Sequence, residues 1–302
     1  MRVRSLNYLC VVILASCVMK DPDPLFLSST TADSYPSGST ISYLNERFYI
    51  MGDDASELLV LNKDLYEEER ISMFQKGPEI RAPKLLKADI ESSVVIDFEK
   101  KPAILFLGSG SVSPHRDSAF LLEPENKQVR RWDMTNFYDR LRAEFKDLNI
   151  EAAARIGSEL LLGIRGNTTF RDNYIALAQL NGSVISYKSK CKLNIDIENA
   201  GISGMDYDEP EDILLITFSS EDTPNSFDDG EIGESFLAII SNARQSLKKD
   251  TLTINRMIKL SDLSPEFNSQ KIESVSITAN TRELLLVADD DKGNTRLFKI
   301  SF

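Results

Sequence analysis

Carboxylates recur in this sequence at one register. Glu91, Glu151 and Glu273 each follow an isoleucine, in Ile90-Glu91-Ser92, Ile150-Glu151-Ala152 and Ile272-Glu273-Ser274, and each opens an alternating apolar run. When the repeated units are aligned on their apolar runs, Ile41 and Ser203 fall near the glutamate position in the other two. A second register, at the end of the following apolar run, holds Asp53, Ser109, Arg165, Ser219 and Asp289. If both registers meet in space, three kinds of chemistry are open to them. A hard cation such as Ca²⁺ takes six to eight oxygen ligands, for which Glu151, Glu273 and Asp289 are the candidates. Like charges held close raise one another's pKa, so Glu151 or Glu273 could act as an acid or base, with Arg165 clamping an anion. Glu91, Asp53, Asp289, Arg171 and His115 are then candidate ligand-binding residues. The structural alternative is that the glutamates hold backbone N–H groups or pair with Arg165 across a channel.

Other chemistries have less to work with. The chain has one histidine, His115, in SVSPHRDS. Ser111, Ser113 and Asp117 lie nearby in sequence, but a nucleophilic triad needs partners that converge through the fold. A zinc site is excluded on the same ground, since Cys191 sits in an alternating run and reads as a buried small residue. The acidic stretch EDTPNSFDDGEIGE, 221 to 234, reads as a long surface loop; Asp228, Asp229, Glu231 and Glu234 around Gly230 form a further calcium candidate.

The elements that must position these residues are short strands. Five stretches share one plan of an alternating run, a turn, a strongly apolar run and a further alternating run. They begin at GSTISYLNERFYIMGDD, DIESSVVIDFEKKPAILFLGS, NIEAAARIGSELLLGIRGN, GISGMDYDEPEDILLITFSSE and KIESVSITANTRELLLVADDD. A period on the order of 50 residues fits the blades of a β-propeller. The fold class is therefore all-β, a propeller of five blades, with a sixth built from segments such as 60 to 90 as the alternative. The last unit supplies three strands before the chain ends, so a fourth comes from PLFLSST near residue 25, closing the ring by pairing the two chain ends. Long connections after each second strand leave from one face, which marks a loop-rich binding mouth. TNFYDRLRAEF, 135 to 145, places Phe137, Leu141 and Phe145 on one helical face, with Thr135 as the N-cap candidate.

The repeated Ile-Glu phrases, LLLGIRG from Leu160 to Gly166, and VADDDKGNTRLFKI from Val287 to Ile300 resemble those of bacterial phytase-like and esterase-like propeller proteins, including lipoproteins of unassigned function. The resemblance spans most of the chain after its first segment. It implies a propeller with a polar channel mouth and a calcium- or phosphate-related site.

The first segment directs location. Arg2 and Arg4 precede an apolar run from Leu6 to Leu14, followed by Ala15, Ser16 and Cys17. This is the order of a secretory signal, too short to remain as a membrane span. Leu14-Ala15-Ser16-Cys17 resembles the bacterial lipobox, which implies cleavage before Cys17 and lipid on its sulfur. The chain then divides into a signal (1–16), a lipidated tether (17–24) and one propeller domain (25–302). Its net charge of −12 becomes −14 without the two signal arginines. An acidic surface of this kind repels polyanions, so nucleic acid is not an expected partner. The reading is a cell-envelope protein lipid-anchored to a bacterial membrane, the outer membrane foremost, that binds a small ligand or envelope protein at its mouth; the alternative is a calcium-assisted phosphoesterase or esterase. Cys17→Ser should move the protein from the membrane to the soluble fraction on cell fractionation. Unchanged membrane retention would contradict the lipobox reading.

Overall fold

The alternating runs form five antiparallel sheets arranged as the blades of a ring. The computed structural model describes residues 23–74, 83–84, 86–225, 230–280, 282–289 and 294–302. Blade 1 runs outward from the axis through Gly38–Leu44, Arg47–Gly52, Glu57–Asn62 and Glu67–Ser72. Blade 2 uses Ile90–Phe98, Lys101–Gly108, Ser118–Glu123 and Gln128–Asp133. Blade 3 comprises Ile150–Ile156, Glu159–Ile164, Asn173–Asn181 and Val184–Asn194, with the short strand Thr251–Thr253 added in parallel at its outer edge. Blade 4 has Ala200–Asp208, Ile213–Glu221, Ile232–Ser241 and Arg256–Lys259. The segment 60 to 90 supplies the outer strands of blade 1, so the architecture is a five-blade propeller.

Blade 5 closes the ring. Its inner strands, Lys271–Ile277, Glu283–Asp289 and Thr295–Ser301, are completed on the outside by Leu25–Ala32. The buried Thr295 fastens this closure to blade 1: its hydroxyl donates to the Tyr35 carbonyl at 2.9 Å and accepts from Gly38 N–H at 2.9 Å. A Cβ on Gly38 would lie 2.5 Å from the Thr295 methyl, so only glycine permits that approach.

The innermost strands touch in cyclic order around the axis, while the second strands carry dense apolar runs, such as Leu284–Ala288 and Phe48–Met51, between blades. These side chains face neighbouring sheets on both sides, which is why the runs read as nearly continuous. Burying a Leu or Ile fully contributes about 1.5–3 kcal/mol against leaving it exposed. The helix Thr135–Glu144 packs Phe137, Tyr138 and Leu141 into the core between blades 2 and 3. Thr135 is its first residue rather than its cap; the Asp133 carboxylate accepts from Thr135 N–H at 3.0 Å instead. Among the described residues no helix is long and apolar enough to cross a membrane.

Candidate functional site

Each innermost strand carries a register shift within its first four residues. The shifts fall at Gly38/Thr40, Ile90/Ser92, Ile150/Ala152, Ile202/Gly204 and Ile272/Ser274. The residue left unpaired is therefore Ser39, Glu91, Glu151, Ser203 or Glu273. A bulge of this kind frees one residue from the ladder and re-aims its side chain. The position equivalent to the glutamates in blade 1 is thus Ser39, not Ile41. Directly across, the second strands run into Asp53, Ser109, Arg165, Ser219 and Asp289. The N–H groups of Asp53, Ser109 and Arg165 bond the carbonyls of Ser37, Asp89 and Asn149, while Ser219 and Asp289 pair with Gly201 and Lys271. Both registers consequently lie at one mouth of the channel, here called the upper mouth.

Two charge clusters face each other there. The first combines Asp53, Asp89 and Glu91, each with one carboxylate oxygen within 4.8 Å of the others. Lys87 lies between two of them, ion-paired to Asp53 and to Asp89 at 2.7 Å. Arg116, 2% exposed, donates to Asp89 Oδ2 at 2.6 Å and to Ser111 Oγ at 2.6 Å. Burial opposes the charge on Lys87, but Asp89, Asp53 and Glu91 outweigh it and hold the ammonium well above the usual lysine range. Glu91 opens onto the channel and has neither hydrogen bond nor ion pair among the described residues. Burial, then the charges of Asp89, Glu151 and Asp53, push its carboxyl well above the usual carboxylate range.

The second cluster combines Glu151, Glu221 and Glu273 with Arg165 and Lys271. Arg165 reaches Glu221 at 3.0 Å and Glu151 at 3.5 Å, and Asn149 Nδ2 donates to Glu151 at 2.5 Å. The arginine crosses blade 4 over Gly201, where a Cβ would sit 2.4 Å from Arg165 Cγ. Lys271 pairs with Glu273 at 3.1 Å and Glu221 at 3.3 Å. Burial works against ionised Glu221, but Lys271, Arg165 and the Gly230 N–H keep its carboxyl below the ordinary value. For Glu273 the balance reverses: burial, with Glu151 and Glu221 adding to it, outweighs Lys271 and Arg165, and the pKa rises to about 8. Each cluster therefore contains two cations and three carboxyls, and in each one carboxyl is held above the ordinary carboxylate range, Glu91 in the first and Glu273, at about 8, in the second.

The other expected residues stand apart from this centre. Asp289 is partly exposed at the end of its strand, at the same register. His115 is exposed in a turn. Ser113 donates to Asp117 at 2.7 Å and Ser111 to Asp89, so neither serine is held by the imidazole. Arg171 is exposed, its Nε donating to the Thr168 carbonyl at 3.5 Å, and lines a side cavity of about 270 Å³ between blades 3 and 4. Calcium at Glu151, Glu273 and Asp289 would compete with Arg165 and Lys271, which already occupy the space between the first two. In the acidic stretch, Glu234 pairs with Lys259 at 3.0 Å and Ser261 at 2.7 Å. Asp228, Asp229 and Cys17 lie outside the described residues.

Lys87, Asp89, Arg116, Glu221 and Lys271 complete the clusters and were not among the sequence candidates. For two of them a signal was present: Asp89 and Lys271 immediately precede the Ile-Glu pairs, at the same register as Asn149.

A family model described as "Family of unknown function (DUF6929)" matches residues 34–302. No curated protein matches the sequence. Among solved structures, glutaminyl cyclase from Myxococcus xanthus superposes with a TM-score of 0.54 at 8% identity, covering 92% of this chain and 95% of that one. A nidogen/laminin complex matches with a TM-score of 0.44 at 11% identity, covering 88% and 86%. At these identities the first likeness concerns the fold alone.

Glu273 supplies a direct check on the charge arrangement. Its folded pKa, about 8, lies above the reference value of 4.5, so the folded state holds a proton that the unfolded chain has lost. That raised pKa makes stability fall as pH rises from the unfolded value through the folded one. Glu273→Gln, which mimics the protonated side chain, should therefore gain stability over wild type progressively between those values, read by denaturant unfolding at mildly acidic and mildly alkaline pH. A difference that does not change with pH would refute the assignment.

Proposed function

The chain belongs to this family of unknown function, and from the charges at its upper mouth we propose that it is a lipid-anchored envelope propeller binding a small organic ammonium ligand there. Lipid on Cys17 anchors the body to a bacterial membrane, the outer membrane foremost, and the mouth receives the ligand. The observation that carries the reading is Glu91: a carboxyl with no hydrogen bond or ion pair among the described residues, beside Asp53 and Asp89. Charge balance selects the ligand. The cluster has two cations, Lys87 and Arg116, against three carboxyls. One arriving ammonium beside an ionised Glu91 brings balance at three of each. A divalent ion would leave one positive charge in excess beside Lys87, and an uncompensated charge away from water costs several kcal/mol. The same arithmetic sets calcium below an amine at this site.

A second reading rests on Glu273, whose pKa near neutrality suits a general acid or base. Glu273 or Glu151 would transfer the proton, with Arg165 stabilising developing negative charge on an ester, phosphoester or amide. Phytase-like hydrolysis and glutaminyl cyclisation, the latter by analogy of fold with the cyclase, both belong to this class. Turnover of any such substrate that is lost in Glu273→Gln would favour it over pure binding.

Titration calorimetry with butylamine and with Ca²⁺ separates the binding outcomes. Because the pKa of the Glu91 carboxyl is raised, butylamine should bind more tightly as pH rises and Glu91 loses its proton, and Glu91→Gln should abolish that pH dependence. Saturable Ca²⁺ binding with no amine binding would overturn the proposal.

A further inference from the structure

The channel has a second end, and its chemistry is different. At the lower end, where the innermost strands finish, a cavity of about 200 Å³ is lined by all five blades. Ile41, Ser42 and Tyr43 come from blade 1, Ser93, Val94 and Val95 from blade 2, Ala153 and Arg155 from blade 3, Met205, Asp206 and Tyr207 from blade 4, and Ser276 from blade 5. At roughly 30 Å³ of liquid volume per water, the cavity equals about seven waters.

Its polar groups are fixed and of mixed type. The Asp206 carboxylate accepts from Ile277 N–H and Tyr207 N–H, both at 2.8 Å, and from Ser276 Oγ at 3.4 Å. Two oxygens with about four acceptor sites leave it capacity to spare. Ser42 and Ser93 hydroxyls lie 2.8 Å apart, and Thr40 donates to Ser93. This short chain of hydroxyls leaves one group free to bond a ligand. Arg155 spends Nη1 on Asp97 at 2.7 Å and keeps its other N–H groups. Glu209, at the rim, is paired with Arg244 at 2.9 Å.

The balance of these groups narrows the ligand. An anion would meet Asp206, and Asp97 already neutralises Arg155. A cation would have to share Asp206 with the two backbone N–H groups and the Ser276 hydroxyl already on it, and would find no second unpaired carboxylate, since Glu209 is taken by Arg244. What remains is a neutral molecule rich in hydroxyls, able to donate to Asp206 and exchange hydrogen bonds with serines and Arg155. Its carbon face would pack on Val95, Met205 and the tyrosines. We propose that the lower end of the channel is a second binding site, for a single sugar ring, either a free monosaccharide or the terminal residue of a glycan.

Asp206 accepts most strongly from the ligand when ionised, with both oxygens as acceptors. Burial raises its pKa, against the Ile277 and Tyr207 N–H groups, to about 6. The charged or titratable groups facing it are Asp208 and Tyr207 on its own strand, Arg155 from blade 3, Tyr43 from blade 1 and Glu209 at the rim. Tyr207, pushed up to about 12, and Tyr43, also raised by burial, do not titrate in that range. Because an acid with a raised pKa gains its charge as pH rises, binding should strengthen as pH climbs through about 6.

The experiment is calorimetry on the mature chain with millimolar glucose, galactose, mannose, xylose and N-acetylglucosamine, their corresponding disaccharides, and butylamine and glycine as charged controls. The expected result is saturable binding of at least one sugar that weakens tenfold or more on acidification below the Asp206 pKa. It should be lost in Asp206→Asn and in Val95→Phe, which fills the cavity from its wall, and retained in Glu91→Gln. Monosaccharide binding tighter than disaccharide binding indicates a free sugar, and the reverse a glycan end. Absence of binding by every sugar, preference for butylamine or glycine, or full binding by both cavity variants would overturn the proposal. A result in which only the upper-mouth amine site fails leaves this second site standing.

Discussion

One irregularity, repeated five times, organises this molecule: a bulge near the start of every innermost strand. A regular ladder would turn these positions toward neighbouring blades, where apolar packing would dictate their identity. The bulge releases one residue per blade toward the axis. Three of the five carry glutamates, and the two serines, Ser39 and Ser203, bond neighbouring polar groups instead. Concentrating three carboxyls on the axis of a propeller is costly unless cations accompany them. Lys87, Arg116, Arg165 and Lys271 are that accompaniment, drawn from the segments just before the innermost strands or from strand ends and connections.

The cations do not reach parity. Each cluster falls one positive charge short, and the deficit shows as a raised carboxyl pKa, at Glu91 on one side and Glu273 on the other. A mouth arranged in this way favours an arriving positive charge. The lower cavity differs: Arg155 and Glu209 have charged partners of their own, and its one other carboxylate, Asp206, is met by backbone N–H groups and the Ser276 hydroxyl instead of by cations. The two ends of one channel therefore differ in the ligands they favour, although the same five strands build both.

Much of this was legible in the sequence. The alternation and the period of the units gave the five blades, and the three strands left at the chain end required a fourth from the residues near Leu25. The glutamate register and the second register, from Asp53 to Asp289, were also visible, because strand ends align when apolar runs align. The exact frame in blade 1 was not: Ser39 and Ile41 share the same parity, and nothing local marks which one is bulged. The cations were missed for a different reason. Lys87 and Arg116 lie outside any alternating run, and Glu221 opens an acid-rich stretch that reads as surface loop. Asp53 comes to Lys87, and Arg165 and Lys271 to Glu221, from neighbouring blades, while Arg116 meets Asp89 across one blade. Arg171 and His115 share residue types with a binding site, yet both sit on exposed connections.

The most direct test is the protonation state itself. Carbon-13 NMR titration of side-chain carboxyls in glutamate-labelled protein should show one glutamate still protonated at neutral pH and titrating near 8, its resonance removed by Glu273→Gln, and a second, removed by Glu91→Gln, titrating above the ordinary glutamate range. A spectrum in which every glutamate titrates at its ordinary value would contradict the account.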